Sequence, residues 1–167
     1  MAKPLRLISI APAVAALALG SGAARALACG NSNGYSYARI GATSNAFGIS
    51  ALIAPTSPSD NLDGHVAGWV GVAGEDLHGK EWLRTGLAGF PGITGGALYY
   101  EVALPGRYPI YHEVSTGVPV NTYTKVTVLE MHSRPNLWRI WVNHKPVSPP
   151  IFLPGSRNGL KAAAKGA

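Results

Sequence analysis

The segment HVAGWVGVAGEDLHGKEWLRTGLAGFPGITGGALYYEVAL, residues 65–104, decides the fold class of this chain. Gly, Pro and Asp residues that favour turns divide it into three stretches, 65–73, 81–88 and 97–104. Within each stretch the residue types alternate with a period of two, which is the period of a β-strand with two different faces. The segment therefore predicts three short strands and no helix.

The same alternation assigns the side chains to two faces of these strands. One row is aliphatic apart from one tyrosine and is predicted to form the core; it contains Val66, Val70, Val72, Leu83, Leu87, Leu98, Tyr100, Val102 and Leu104. The other row is aromatic and charged, with Trp69, Trp82, Arg84, Tyr99 and Glu101. Such a row is typical either of an outer sheet face or of a concave face that binds an extended ligand. The clustering of aromatic residues favours the ligand-binding face.

The rest of the chain continues this pattern. Further strands are predicted at 35–42, 46–54, 108–114, 122–131, 137–143 and 150–153, between turns rich in Gly, Pro, Asn and Asp. Many short strands at this spacing predict an all-β protein, a two-sheet antiparallel β-sandwich or jelly roll. No linker divides the body, so we expect one domain over residues 29–156.

The first 28 residues have the pattern of an export signal. Lys3 and Arg6 precede the apolar run 7–19, which is too short to span a bilayer, and small residues follow up to Ala28. We therefore predict a signal peptide at 1–28 and a secreted, extracellular protein without membrane contact. Cleavage after Ala28 would make Cys29 the first residue, as a free or intermolecularly paired thiol or, alternatively, as the lipid anchor of a lipoprotein.

Charge and composition exclude several kinds of ligand. The chain has 14 Lys and Arg against 8 Asp and Glu, but residues 29–156 carry 8 of each, so their net charge is 8 − 8 = 0. Nucleic-acid binding needs clustered basic residues on the folded surface, so we predict that this protein does not bind nucleic acid. One Cys and five His without metal-ligand spacing predict neither a metal site nor a cofactor.

Three motifs carry a resemblance to a known family. In this order and spacing, WVGVAG (69–74), EWLRTGL (81–87) and LYYEVALPG (98–106) resemble the glutamic peptidases called eqolisins and their bacterial homologues. The resemblance covers about residues 35–156. It implies a concanavalin-like β-sandwich whose concave sheet holds a peptide cleft, on the face that carries the aromatic row.

The resemblance implies two catalytic residues, a Gln and a Glu, and this chain has neither of them at the family's position. Family members hydrolyse peptides at acidic pH with a Glu that acts as general base on water and a Gln that holds the water and the oxyanion. The Gln corresponds to Arg84, whose guanidinium only donates hydrogen bonds. The family's Glu lies on a late strand, whereas no Glu follows Glu130 here. Glu101 is the remaining candidate base, and an arginine beside it favours an ion pair over catalysis.

The C-terminal residues after IFLPGS (151–156) are RNGLKAAAKGA, which are rich in Ala, Lys and Gly. We predict a disordered basic tail at 157–167 and a sandwich that is incomplete at its C-terminus. The resulting hypothesis is an exported pseudoenzyme that binds a peptide or protein ligand and lacks peptidase activity. The alternatives are an active acid endopeptidase that uses Arg84 and Glu101, and a carbohydrate-binding module that uses Trp69, Trp82 and Tyr99.

Overall fold

The fold is known from a computed structural model that describes residues 25–32, 35–55, 64–76, 79–155 and 160–166. These ranges contain twelve β-strands and no helix. The strands are β1 (Arg25–Ser32), β2 (Tyr35–Ala46), β3 (Gly48–Ile53), β4 (Val66–Asp76), β5 (Gly79–Gly89), β6 (Gly96–Ala103), β7 (Ile110–Val118), β8 (Thr124–Glu130), β9 (Leu137–Val142), β10 (Lys145–Pro146), β11 (Ile151–Phe152) and β12 (Leu160–Gly166).

The strands form two antiparallel sheets. The large sheet has seven strands in the order β1-β2-β12-β4-β5-β6-β7. The small sheet has five, in the order β10-β9-β8-β3, with β11 also paired to β9. All nine predicted strands are present, and the predicted all-β, two-sheet antiparallel sandwich is confirmed. The finer prediction of a concanavalin-like jelly roll stays a prediction.

The hydrophobic core lies between the two sheets. Val72, Leu83 and Val102 of the large sheet pack in one cluster with Trp138 and Ile140 of the small sheet. A second cluster joins Val70, Leu87 and Leu98 to Val126 of the small sheet. The aliphatic row predicted from the alternation is therefore the core-facing row, with Val66 at its exposed end. Because neighbouring residues of a strand point to opposite faces, the aromatic and charged row lies on the outer face of the large sheet.

The prediction of a disordered tail at 157–167 is wrong for residues 160–166. These residues form β12, which pairs with β2 on one side and with β4 on the other. The prediction relied on the low strand propensity of Ala, Lys and Gly, a scale that spans only about 1 kcal/mol and depends on context. Two neighbouring strands supply backbone hydrogen bonds that outweigh it. The strand β12 thus lies between β2 and β4 in the large sheet.

The N-terminal predictions lie mostly outside the described residues. Residues 1–24 of the predicted signal peptide are not among those described, while Arg25–Ser32 form β1, so residues 25–28 are paired in the sheet rather than excluded from the fold. Cleavage after Ala28, secretion and the fate of Cys29 stay predictions. Among the described residues, no helix is long and apolar enough to cross a membrane.

The position of β12 can be tested with a proline. In a strand paired on both sides every N–H faces a neighbouring strand, so Ala163→Pro removes a ladder hydrogen bond and disturbs the strand. We expect Ala163→Pro to lower the free energy of unfolding by about 2 kcal/mol or more, measured by urea denaturation. Ala163→Ser keeps the N–H and is the matched control. Equal stability of the two variants would contradict a central strand at this position.

Candidate functional site

The register of β4, β5, β6 and β7 brings the predicted site residues together. Arg84 is paired directly with Glu101 across β5 and β6, and Glu101 with Tyr111 across β6 and β7. Arg84 Nε and Nη2 donate hydrogen bonds to the same carboxylate oxygen, Glu101 Oε2, over 2.8 and 2.5 Å. The side chains are 29% and 16% exposed, so the ion pair is partly shielded from water. The predicted ion pair between these two residues is therefore present.

Two indole rings flank the Arg84 guanidinium. Its Cζ atom lies 4.4 Å from the ring centroid of Trp82 and 5.1 Å from that of Trp69. Trp82 precedes Arg84 by two residues on β5, and Trp69 is paired with Gly86, two residues after Arg84. The Arg84 guanidinium therefore lies between the two indole rings, with Trp82 before it and Trp69 after it along the direction of β5. Each cation–π contact is worth about 0.5–1 kcal/mol at exposed sites and more when the site is desolvated.

Two glycines make room for these large side chains, and the sequence analysis did not identify them. Gly71 is paired with Arg84, and a Cβ atom at Gly71 would lie 2.8 Å from Arg84 Cβ. Gly86 is paired with Trp69, and a Cβ atom there would overlap the carbonyl oxygen of Gly68. Each glycine therefore allows a close approach of β4 and β5. The signal in the sequence is a glycine two residues after Trp69 and another two residues after Arg84.

Tyr99 lies beside the ion pair, and the ring of Tyr111 covers it. Its side chain is only 3% exposed, and its ring stacks on that of Tyr111 at 5.1 Å between centroids. Tyr111 is 44% exposed, so the ring that a ligand would meet at this place belongs to Tyr111. Tyr111 was not predicted as a site residue because its segment, 108–114, lacks the regular alternation seen in the three preceding strands. We define the outer-face cluster as Trp69, Trp82, Arg84, Tyr99, Glu101 and Tyr111.

Other candidate groups lie away from this cluster. Glu81 is fully buried, on the same face of β5 as Leu83. His112 stacks on Tyr100 at 4.5 Å between ring centroids, on the opposite face of β6 from Glu101. Within the part of the chain that the structure describes, no group of three or more His, Cys, Asp or Glu residues is placed to hold a metal ion.

The hydrogen-bonding capacity of the cluster defines its chemistry. A guanidinium carries five N–H donors and no acceptor. Among the described residues, Arg84 donates only to Glu101 Oε2, and Glu101 Oε1 receives no hydrogen bond. The cluster therefore offers a ligand both N–H donors and a carboxylate acceptor, beside half-buried indole rings. A water molecule beside Arg84 would find N–H donors and no acceptor there, so Arg84 could not orient the water by accepting one of its hydrogen bonds.

Comparison of the chain with protein-family models found no match, and a search of the curated proteins found none either. The resemblance to eqolisins thus rests on the three quoted motifs. Their residues Trp69, Arg84 and Glu101 lie together on one face of one sheet.

The glycine at position 86 should be essential to the arrangement of the cluster. A Cβ atom at this position would overlap the carbonyl oxygen of Gly68 and approach Trp69 Cβ to 2.8 Å, so β4 and β5 would have to separate. We expect Gly86→Ala to lower the free energy of unfolding by about 1–3 kcal/mol, as overpacked sites do. Gly92→Ala is a control for which no atom lies within 4 Å of the new Cβ, although its positive φ adds some strain. A neutral Gly86→Ala variant would contradict the close approach.

The burial of Tyr99 predicts a pH dependence of stability. Desolvation raises the pKa of Tyr99 from 10.0 to about 12, partly opposed by Arg84. Since the unfolded chain releases this proton near pH 10 and the native protein near pH 12, stability from this group is complete below pH 10 and is lost as the pH rises toward 12. Ultraviolet titration of the folded protein should show late tyrosine ionisation, and Tyr99→Phe should reduce its amplitude rather than abolish it, since burial also raises the pKa values of Tyr100 and Tyr111. Tyr108→Phe, at a side chain 93% exposed, should retain it; an unchanged titration in Tyr99→Phe would contradict the assignment.

Proposed function

We propose that this protein is an exported, eqolisin-like β-sandwich that binds peptide segments on the outer-face cluster and does not hydrolyse them. The observation that carries the proposal is the environment of Arg84. Its guanidinium lies between two indole rings and donates twice to Glu101, the carboxylate paired directly with it in the register.

The ion pair argues against the alternative of an active acid endopeptidase. A general base must accept a proton from the attacking water, and its companion in the family accepts a hydrogen bond from that water. Arg84 has no acceptor atom, and the carboxylate of Glu101 is directed at Arg84, which donates two hydrogen bonds to Oε2. Neither residue therefore offers the chemistry that hydrolysis requires.

The cation–π contacts argue against the alternative of a carbohydrate-binding module. Sugars bind proteins by stacking on an exposed aromatic face. The Arg84 guanidinium lies against both Trp69 and Trp82, and Tyr99 is covered by Tyr111. A peptide can use the same surface differently, since its amide groups can pair with the donors of Arg84 and with Glu101 Oε1, while its apolar side chains contact the ring edges.

Binding and hydrolysis are tested on the same protein. Isothermal titration with a set of unstructured decapeptides should show saturable binding, and titration with oligosaccharides should show none. Trp82→Ala removes one of the rings beside Arg84, so we expect about tenfold weaker peptide binding. Trp141→Ala, at a half-buried tryptophan on the small sheet, is the matched control and should bind as the wild type does.

The same samples incubated with denatured casein at acidic pH should release no peptides. Cleavage that is lost in Arg84→Ala or Glu101→Gln would establish the endopeptidase instead. Saturable binding of an oligosaccharide without binding of peptides would establish the carbohydrate-binding module. Loss of peptide binding in Trp141→Ala but not in Trp82→Ala would place the site on the small sheet.

A further inference from the structure

We infer that the outer-face cluster selects peptides that present a carboxylate, and that Arg84 is the residue that selects them. The inference rests on the proposed function, since it names the chemistry of the ligand that the cluster would take. It concerns a position at which the chain departs from the family it resembles.

Arg84 has donors left that could bind a ligand. Two of the five guanidinium N–H groups, on Nε and Nη2, are directed at Glu101 Oε2. Both hydrogen bonds use the edge of the guanidinium that carries Nε and Nη2. Within the described ranges no other atom accepts from Arg84, so the Nη1 donors and the second Nη2 donor are available to a ligand. Together they form the end of the guanidinium fork, whose spacing matches the two oxygens of a carboxylate.

The Arg84 guanidinium is held in a fixed orientation. The rings of Trp69 and Trp82 lie on the two sides of the guanidinium, and Glu101 fixes its Nε edge. The free edge therefore has little rotational freedom to lose when a ligand binds, which lowers the entropic cost of binding. The Arg84 side chain is still 29% exposed, so a ligand can reach it.

Charged residues on the strands next to β5 also bear on the choice of ligand. Glu101 compensates Arg84, and by itself this ion pair would not attract an anion. The strand β12 adds basic residues to the neighbouring rows of the same sheet, because Lys161 is paired with Ala73 and Lys165 with Trp69. Both lysines belong to the segment 157–167, for which a disordered basic tail was predicted. By register, these two lysines lie on the β4 side of Arg84, whereas one further acidic residue, Glu113, is paired with Tyr99 on the β7 side. Basic positions therefore outnumber acidic ones beside the ion pair, which favours an anionic ligand.

The test compares peptides that differ in one carboxylate. N-acetylated octapeptides of one sequence are prepared with a free C-terminal carboxylate and as the C-terminal amide, and a second pair of amides differs by an internal Glu or Gln. Calorimetric titration of the full chain should show at least one carboxylate peptide binding about tenfold tighter than its neutral partner. The first pair reports recognition of a chain terminus and the second recognition of an acidic side chain.

Variants assign the preference to Arg84. In Arg84→Gln the ratio of the two dissociation constants should fall to about one. The neutral peptide should itself bind more weakly, since its amide groups also lose donors. Arg134→Gln removes the same charge from an exposed turn between β8 and β9, on the other sheet, and should keep the wild-type ratio. Thermal melts of both variants establish that each is folded.

The outcomes separate this inference from the proposed function. Equal binding of the carboxylate and neutral peptides by the wild-type protein would overturn the inference and leave peptide binding in place. An unchanged ratio in Arg84→Gln, or an equal loss in Arg134→Gln, would also overturn it, since the preference would then arise elsewhere or from net charge. Absence of binding by every peptide would overturn the proposed function, and the inference with it.

Discussion

The packing of two apolar rows between the sheets determines where every functional group of this protein lies. Val72, Leu83 and Val102 are buried against Trp138 and Ile140, and they can all be buried only in one register of β4, β5 and β6. A slip by one residue would turn each row to the opposite face. The outer-face cluster is the necessary counterpart of this core, because residues that alternate with buried ones must point away from it.

The cluster itself depends on matching large and small residues on neighbouring strands. Arg84 is paired with Gly71, and Trp69 with Gly86, so each long side chain lies opposite a position without one. The guanidinium can then lie between the two indole rings and still reach Glu101 on the other side. The result is a cation that is flanked by two indole rings and bonded to Glu101 through Nε and Nη2. This geometry fixes the orientation of the Arg84 donors, which is the feature that we propose recognises a ligand.

The C-terminal strand shows how tertiary pairing can override local preference. The Ala, Lys and Gly residues of β12 have low strand propensity, and no alternation of apolar residues predicts a strand there. Pairing with β2 and β4 gives β12 backbone hydrogen bonds on both sides, and it joins β1 and β2 to the rest of the large sheet. Because backbone hydrogen bonds from β2 and β4 stabilise this strand, the pattern of side chains in its own sequence does not predict it.

The sequence by itself determined the all-β class, nine of the strands and the two faces of the central ones, because burial of Leu83 or Val102 imposes a period of two that is visible in the chain. It also placed Arg84 and Glu101 on one face. The tertiary structure alone decided their direct pairing, the covering of Tyr99 by Tyr111 and the insertion of β12. Those features depend on register and strand order, which arise from contacts between distant segments and leave no local pattern.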